Sequence, residues 1–179
     1  MKVLAALFSS CLAFAQTSAT KAADLGHSSH GSAFDSGPRQ KPWVMEGIGS
    51  APFPISTNNP EVQKWFNQGN AMLHSFFFYE AERAFRWCLK LEPDNAMAYW
   101  GLANAAQGDR GADFIREAVK RKDKVTERER LYIEASAAAL LPKPGTFRRD
   151  DPDASEESRR ESIKKLETLC LKYPDDTEA

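Results

Sequence analysis

Three observations in the amino-acid sequence predict an all-α fold made of repeated pairs of antiparallel helices. Large and small residues between Val62 and Pro93 follow the spacing expected where two helices cross closely. The same order of large and small residues returns 34 residues further along the chain. Residues that cap helices, and prolines that end them, stand at the predicted helix boundaries.

Five residues with a regular spacing define the first predicted helix pair. They are Trp65, Gly69, Ala81, Phe85 and Pro93. Glycine and alanine let two backbones approach, aromatic rings fill the groove beside them, and proline ends the second helix. The spacing resembles that of the tetratricopeptide repeat (TPR), a unit of two antiparallel helices. Gln68 and Met72 depart from it, since a leucine and a tyrosine are usual there.

The second predicted unit repeats the first after 34 residues. The matched pairs are Trp65 with Tyr99, Phe66 with Trp100, Gly69 with Ala103, and Asn70 with Asn104. Five spaced residues can occur by chance, but their recurrence at the TPR period is a much stronger signal. The sequence therefore predicts a TPR-like helical-hairpin solenoid of about three units and about six helices.

The boundaries of the first four helices follow from capping and breaking residues. The first helix should begin after the cap Asn59 and run to about Phe76, and its partner should run from Tyr79 to Leu91. Asp94 should cap a third helix that continues to about Gln107. The stretch 108–111 should break the chain before a fourth helix. Its apolar stripe contains Phe114, Ile115, Ala118 and Val119.

The third predicted unit contains an expanded loop between its two helices. Thr126 and Glu129 form a capping box at the start of a fifth helix, which Pro142 should end. Residues 143–154 should form a surface loop, and Ser155 should cap the last helix. Ser162, Leu166, Leu169 and Pro174 repeat the spacing of Ala81, Phe85, Cys88 and Pro93.

The N-terminal part carries targeting and linker signals. Residues 1–15 read as a secretory signal peptide cleaved after Ala15, and a lipoprotein anchored through Cys11 is the less favoured alternative. Residues 16–56 should form a flexible tether that ends in a short ordered lead-in around Trp43–Phe53, before a repeat domain over 57–179. His27 and His30 lie in the tether, where glycine and serine disfavour the helix that a chelating HxxH pair needs.

Composition and motifs exclude several classes of function. The net charge of −1 argues against nucleic-acid binding. Cys88 and Cys170 have no metal or redox spacing and are expected to be two separately buried thiols. No phosphate loop, nucleophile elbow or zinc-protease motif is present, and His74 is the one histidine of the repeat domain. We therefore predict no catalytic site, no metal and no cofactor.

The first helix of each TPR-like unit should line a concave face that binds an extended peptide. The residues expected on this face are Phe66, Asn70, Leu73, His74, Trp100, Asn104 and Gln107. A carboxamide can both donate to and accept from a peptide backbone, and aromatic rings can cover apolar side chains. The equally weighted alternative is that Phe66 and Trp100 are ordinary core residues and that the asparagines are merely solvated.

Several short stretches resemble a group of secreted bacterial TPR proteins. They are Phe53–Ser56, Phe66–Gly69, Leu73–Phe76, Tyr79–Phe85 and Ala96–Gly101. The close likeness covers roughly residues 47–107. Members are typically longer and often have a cysteine where this chain has Asn95, so no role of that cysteine transfers. The resemblance implies a helical-repeat fold outside the cytoplasm and supplies no activity, because this fold hosts binding rather than one chemistry.

The predicted function is therefore an extracytoplasmic, non-catalytic scaffold or adaptor that binds a protein or an extended peptide. No polar terminal cap follows the last helix, so we expect a chain that continues beyond Ala179 or associates with itself through that helix. Three alternatives stay open. They are a periplasmic protein that binds a small ligand or metal through the tether histidines, an adaptor docked through its last helix, and the N-terminal part of a longer enzyme.

Overall fold

The computed structural model describes residues 32–106, 109–141 and 152–178, and this part of the chain is all-helical, with no β-strand. Its six α-helices are α1 (Pro60–His74), α2 (Phe78–Leu91), α3 (Ala96–Ala105), α4 (Asp109–Val119), α5 (Glu127–Leu140) and α6 (Pro152–Lys172). Two short 3-10 helices cover Ser32–Phe34 and Lys122–Lys124. Within this described part, no helix is both long enough and apolar enough to cross a membrane.

The helices pack as three consecutive hairpins. α1 packs against α2, α3 against α4, and α5 against α6, and each hairpin also contacts the next through α2 with α3 and α4 with α5. The first helices of the hairpins also meet, because α3 contacts both α1 and α5. As a result α1, α3 and α5 lie side by side and present one continuous face.

Small residues at the helix crossing make room for the ring of Phe85. Phe85 is fully buried, and it lies against both Gly69 of α1 and Gly101 of α3. A Cβ atom built on Gly101 would lie 2.5 Å from Cδ1 of that ring. Of the residues that define the predicted repeat, only Pro93 is exposed. The buried ones are Trp65, Gly69, Ala81, Phe85, Tyr99 and Ala103.

Of the four predicted helix caps, Asn59 and Thr126 are confirmed, and Asp94 and Ser155 are wrong. The Asn59 side chain accepts a hydrogen bond from the Glu61 amide at 3.0 Å, and Thr126 forms the expected capping box with Glu129. α3 is capped by Asn95 instead of Asp94, since the Asn95 side chain accepts from the Ala98 amide at 2.9 Å. The Asp94 carboxylate instead accepts from Arg121 at 3.1 Å.

Helix α1 ends two residues earlier than predicted, because the chain turns through a left-handed residue. Phe76 has a φ of 61°, and its amide donates to the Leu73 carbonyl at 3.1 Å. The Phe77 amide donates to the Met72 carbonyl at 2.9 Å. These two bonds form a Schellman motif, which closes a helix and normally has glycine at the left-handed position.

Three other predicted boundaries are corrected. Residues 109–111 begin α4 and do not break the chain, because Gly111 lets α4 approach the Ala103 carbonyl of α3. α3 ends at Ala105, and 107–108 lie outside the described residues. α6 begins at Pro152, so Ser155 is inside the helix and not its cap. The predicted loop lies outside the described residues except for its last three, Pro152–Ala154, which belong to α6.

The prediction of two buried cysteines is half wrong. Cys88 is fully buried and its thiol lies 3.5 Å from the Val62 carbonyl, whereas Cys170 is exposed on α6. α6 packs on α5 through one side only, which buries Leu169 and leaves Cys170 on the outer side. Neither cysteine is in a disulfide.

Candidate peptide-binding face

The second half of the expected tether is packed against the helices. We call residues 33–57 the strap. Phe34 and Phe53 of the strap are both fully buried, at opposite ends of the segment. The predicted signal peptide, Cys11, His27 and His30 lie outside the described residues. Phe34 lies in the part of the sequence expected to be a flexible tether, and Phe53 lies at the end of the expected ordered lead-in, Trp43–Phe53.

One end of the strap is held by two arginines of the outer helices. Arg86 of α2 is fully buried and donates to the Phe34 carbonyl at 3.1 Å and to the Ser36 carbonyl. Arg110 of α4 donates to the Ala33 carbonyl at 3.0 Å. Both guanidinium groups also bind the Glu82 carboxylate. Burial lowers the pKa of Arg86, and the ion pair with Glu82 compensates in part.

The other end of the strap places Phe53 in a groove between α1, α3 and α5. The Phe53 ring packs edge-on against Phe66, Trp100 and Tyr132, with centroid distances of 5.6, 5.5 and 5.0 Å. The Arg128 guanidinium lies 4.2 Å from the centre of the same ring. Edge-to-face packing and a cation over the ring are both favourable arrangements for an aromatic side chain. This groove, lined by Phe66, Trp100, Tyr132 and Arg128, is the candidate site.

Carboxamides of α1 bind the strap through its backbone. Asn67 Oδ1 accepts from the Phe53 amide at 3.1 Å, and Gln63 Nε2 donates to the Phe53 carbonyl at 2.8 Å. Gln63 Oε1 also accepts from the Ile55 amide at 3.0 Å. One turn further along, Gln68 accepts from the Met45 amide at 3.2 Å and donates to the Trp43 carbonyl at 2.8 Å. These hydrogen bonds involve only backbone amides and carbonyls of the strap, so they do not depend on which side chains the strap carries.

Residues of α5 hold the strap on the opposite side of the groove. Ser56 donates through its amide and its hydroxyl to the two carboxylate oxygens of Glu129, each at 2.5 Å. Arg128 donates to the Pro54 carbonyl at 3.1 Å. Glu129 is almost fully buried, so its carboxylate depends on these bonds and on the Thr126 cap.

The sequence-predicted site residues lie in several different settings. Phe66 and Trp100 are buried beneath Phe53, as the core alternative proposed. Asn104 is exposed and donates only to the Trp100 carbonyl of its own helix. Leu73 packs partly buried at the core, and Gln107 lies outside the described residues.

Asn70 and His74 are brought together, and they bind the end of the chain. Asn70 is fully buried and its Nδ2 donates to Glu178 Oε2 at 2.7 Å, while His74 Nε2 lies 2.9 Å from Glu178 Oε1. The amide of Asn70 also reaches the Ala51 carbonyl of the strap at 3.4 Å. These two predicted site residues therefore contact a carboxylate of the same chain, in the turns that follow α6.

A second carboxylate of the C-terminal segment, that of Asp176, is bound by residues of α5. Asp176 accepts from Arg128 at 2.6 and 2.9 Å and from the Tyr132 hydroxyl at 2.9 Å. Burial raises the pKa of Asp176, but these hydrogen bonds outweigh it and hold that pKa below its usual value. Burial also raises the pKa of Tyr132, so its hydroxyl stays a donor. This end of the face thus accommodates acidic side chains.

Open space remains on both sides of Pro54. One pocket of about 440 Å³ lies between Pro52, Pro54 and the C-terminal residues 172–177. Another of about 580 Å³ lies between residues 54–58 and the start of α5. The groove is therefore open to solvent beside Pro54.

Sequence analysis missed four residues whose side chains bind the backbone of the strap at the groove. These are Gln63, Asn67, Gln68 and Arg128. A usable signal was present, because Gln68 stands where the repeat favours a leucine, and carboxamides recur along the same helix. The strap could not be identified as the bound segment from the sequence, since the residues that contact it lie 8 to 74 positions away along the chain.

Comparisons with protein-family models, with curated proteins and with solved structures find no match. The resemblance to secreted TPR proteins thus stays a prediction from the sequence. Among the residues that the structure describes, no three histidine, cysteine or acidic side chains come together as a metal site would require.

Proposed function

We propose that this chain is a TPR-like protein- and peptide-interaction module, acting outside the cytoplasm as a non-catalytic scaffold or adaptor. The observation that carries the proposal is the pair Gln63 and Asn67, whose side chains together bind both the amide and the carbonyl of Phe53. A helical face that satisfies the backbone of an extended segment in this way is suited to binding peptides.

The stacking of three hairpins supports the TPR-like part of the proposal. α3 contacts both α1 and α5, and neighbouring first helices are what a solenoid of such units would have. The extracytoplasmic location rests on the signal-like sequence of residues 1–15. The partner class, protein or extended peptide rather than nucleic acid, rests on the near-neutral net charge and on the groove.

A peptide library tests this proposal. Random peptides of about twelve residues are selected on the wild-type chain and on a Phe53→Ala variant, whose groove lacks its resident ring. We expect selected peptides to lose binding when Gln63 and Asn67 are both changed to alanine. They should keep binding to Asn104→Ala, because Asn104 contacts only its own helix. No enrichment on either chain, or binding that ignores the double change, would contradict the proposal.

A further inference from the structure

We infer that the Phe53 pocket is a recognition site for an aromatic residue between two prolines in an extended peptide, and that the strap is a resident occupant which an outside peptide can replace. This inference rests on the proposed function and goes further, because it names the ligand. We infer the ligand class from the contacts that residues Pro52–Ser56 make in the groove.

The hydrogen-bonding groups of the groove match this segment one for one. Pro52 and Pro54 have no backbone N–H, so the segment 52–56 presents only the amides of residues 53, 55 and 56. Each of these three meets one side-chain acceptor, on Asn67, Gln63 and Glu129 respectively. Pro52 and Pro54 are both exposed and lie at the rim of the groove. The resident segment thus shows that the groove accommodates proline on both sides of the central residue.

The pocket also selects the central side chain. Edges and faces of three rings enclose Phe53 completely, and the guanidinium of Arg128 lies over it. A flat ring gains both the aromatic packing and the cation–π contact, whereas an aliphatic side chain gains neither. Prolines further hold their neighbours extended, so little conformational entropy is lost on binding.

The way the strap is held allows replacement without unfolding the helices. In the described part of the chain, residues 52–56 make no backbone hydrogen bond to any helix, and they are held by side chains alone. The pockets beside Pro54 leave the rim of the groove open. Tethering nevertheless gives the resident segment an effective concentration on the order of millimolar, so an outside peptide competes at a disadvantage. Weakening the resident segment removes this disadvantage.

The test uses a fluorescent peptide with the sequence of residues 50–58 and a matched peptide in which the phenylalanine is alanine. Fluorescence polarisation compares the wild-type chain, Phe53→Ala, and Phe53→Ala combined with Asn67→Ala. We expect the phenylalanine peptide to bind Phe53→Ala at least tenfold more tightly than wild type. The alanine peptide should not bind, and the added Asn67→Ala change should weaken binding. The peptide should also raise the Tm of Phe53→Ala as its concentration rises.

The remaining outcomes each decide the question. A folded Phe53→Ala chain that does not bind the phenylalanine peptide overturns the inference, although the proposed function stands if the library selects peptides of another pattern. If Phe53→Ala does not fold alone, the peptide should restore its helical circular dichroism, and no restoration also overturns the inference. The segment that fills the groove could come from the peptide or from a second copy of the chain. Mixing wild type with Phe53→Ala distinguishes these two sources, because a mixed dimer would mean that a second copy supplies the segment.

Discussion

The ring of Phe85 lies so close to the α-carbon of Gly69 that a methyl group there would stand 2.8 Å from ring atom Cε1. The crossing of α1 and α2 therefore depends on the absence of a side chain at position 69. This relationship places the small-residue pattern, which was visible in the sequence, at the crossing of the first hairpin.

Enlarging a residue at this crossing should destabilise the fold. Gly69→Leu and Ala81→Leu are each expected to lower the free energy of unfolding by roughly 1–3 kcal/mol or more, because overpacking forces side chains and backbone apart. Ala139→Leu on the exposed side of α5 is the matched control and should have little effect. Chemical denaturation measures all three, and equal midpoints for the three variants would refute the packing argument.

Replacing Phe76 with glycine should stabilise the protein. A left-handed conformation costs a non-glycine residue about 1–2 kcal/mol, and glycine costs about 0.5–1 kcal/mol more to order on folding. Because the Phe76 ring is 78% exposed, little packing is lost, and we expect a net gain of about 0.5 kcal/mol. Phe77→Gly is the control, since residue 77 has a φ of −84° and should only lose stability. A lower Tm for Phe76→Gly would contradict the prediction.

The two cysteines of the helical domain should react very differently. Burial raises the pKa of the Cys88 thiol, whereas Cys170 is exposed. An alkylating reagent should therefore label Cys170 in the native protein and reach Cys88 only after unfolding. Peptide mass spectrometry without reduction locates the label. A bridge between the two cysteines would mean that the helices pack differently.

Acid should loosen the C-terminal segment through Asp176. The pKa of Asp176 is lower in the folded chain than in the unfolded chain, where it is about 3.9. Its carboxylate therefore stabilises the fold above about pH 4, and this contribution is lost as the pH falls through the folded-state pKa. Melting curves at pH 7 and pH 3 should differ less for Asp176→Asn than for wild type. Asp175→Asn, at an exposed neighbour, should behave like wild type.

The outer face of α6 should drive self-association. Ile163 is 47% exposed and Leu171 is 84% exposed, which leaves apolar surface that a further helix would cover in a longer array. Light scattering over a concentration series should show a rising average mass for the chain without residues 1–15. Lysine at both positions should abolish the rise, while Leu91→Lys, at a residue 38% exposed on α2, should not. A wild-type chain that stays monomeric at every concentration would contradict this.

Most of the helical framework could be predicted from local sequence, because its signals act over short distances. The Asn59 cap and the Thr126 capping box follow from residues at most three positions apart. The helix pairs follow from a spacing that recurs after 34 residues. Errors arose where two local signals competed. Asp94 and Asn95 are both good caps, and only packing decided that Asp94 would face Arg121. The glycines at 108 and 111 suggested a break in the chain. Gly111 instead lies within α4, where the absence of a side chain lets α4 approach the Ala103 carbonyl of α3.

The sequence alone determined an all-helical chain of paired helices, with glycine or alanine at the crossing and carboxamides along α1. The tertiary structure alone decided what those carboxamides bind. The strap meets α1 and α5 across separations of up to 74 residues, and Glu178 meets Asn70 across 108. No periodicity within a helix encodes such contacts. They form because buried amides and rings need partners once the hairpins have stacked, and the nearest extended backbone belongs to the chain itself.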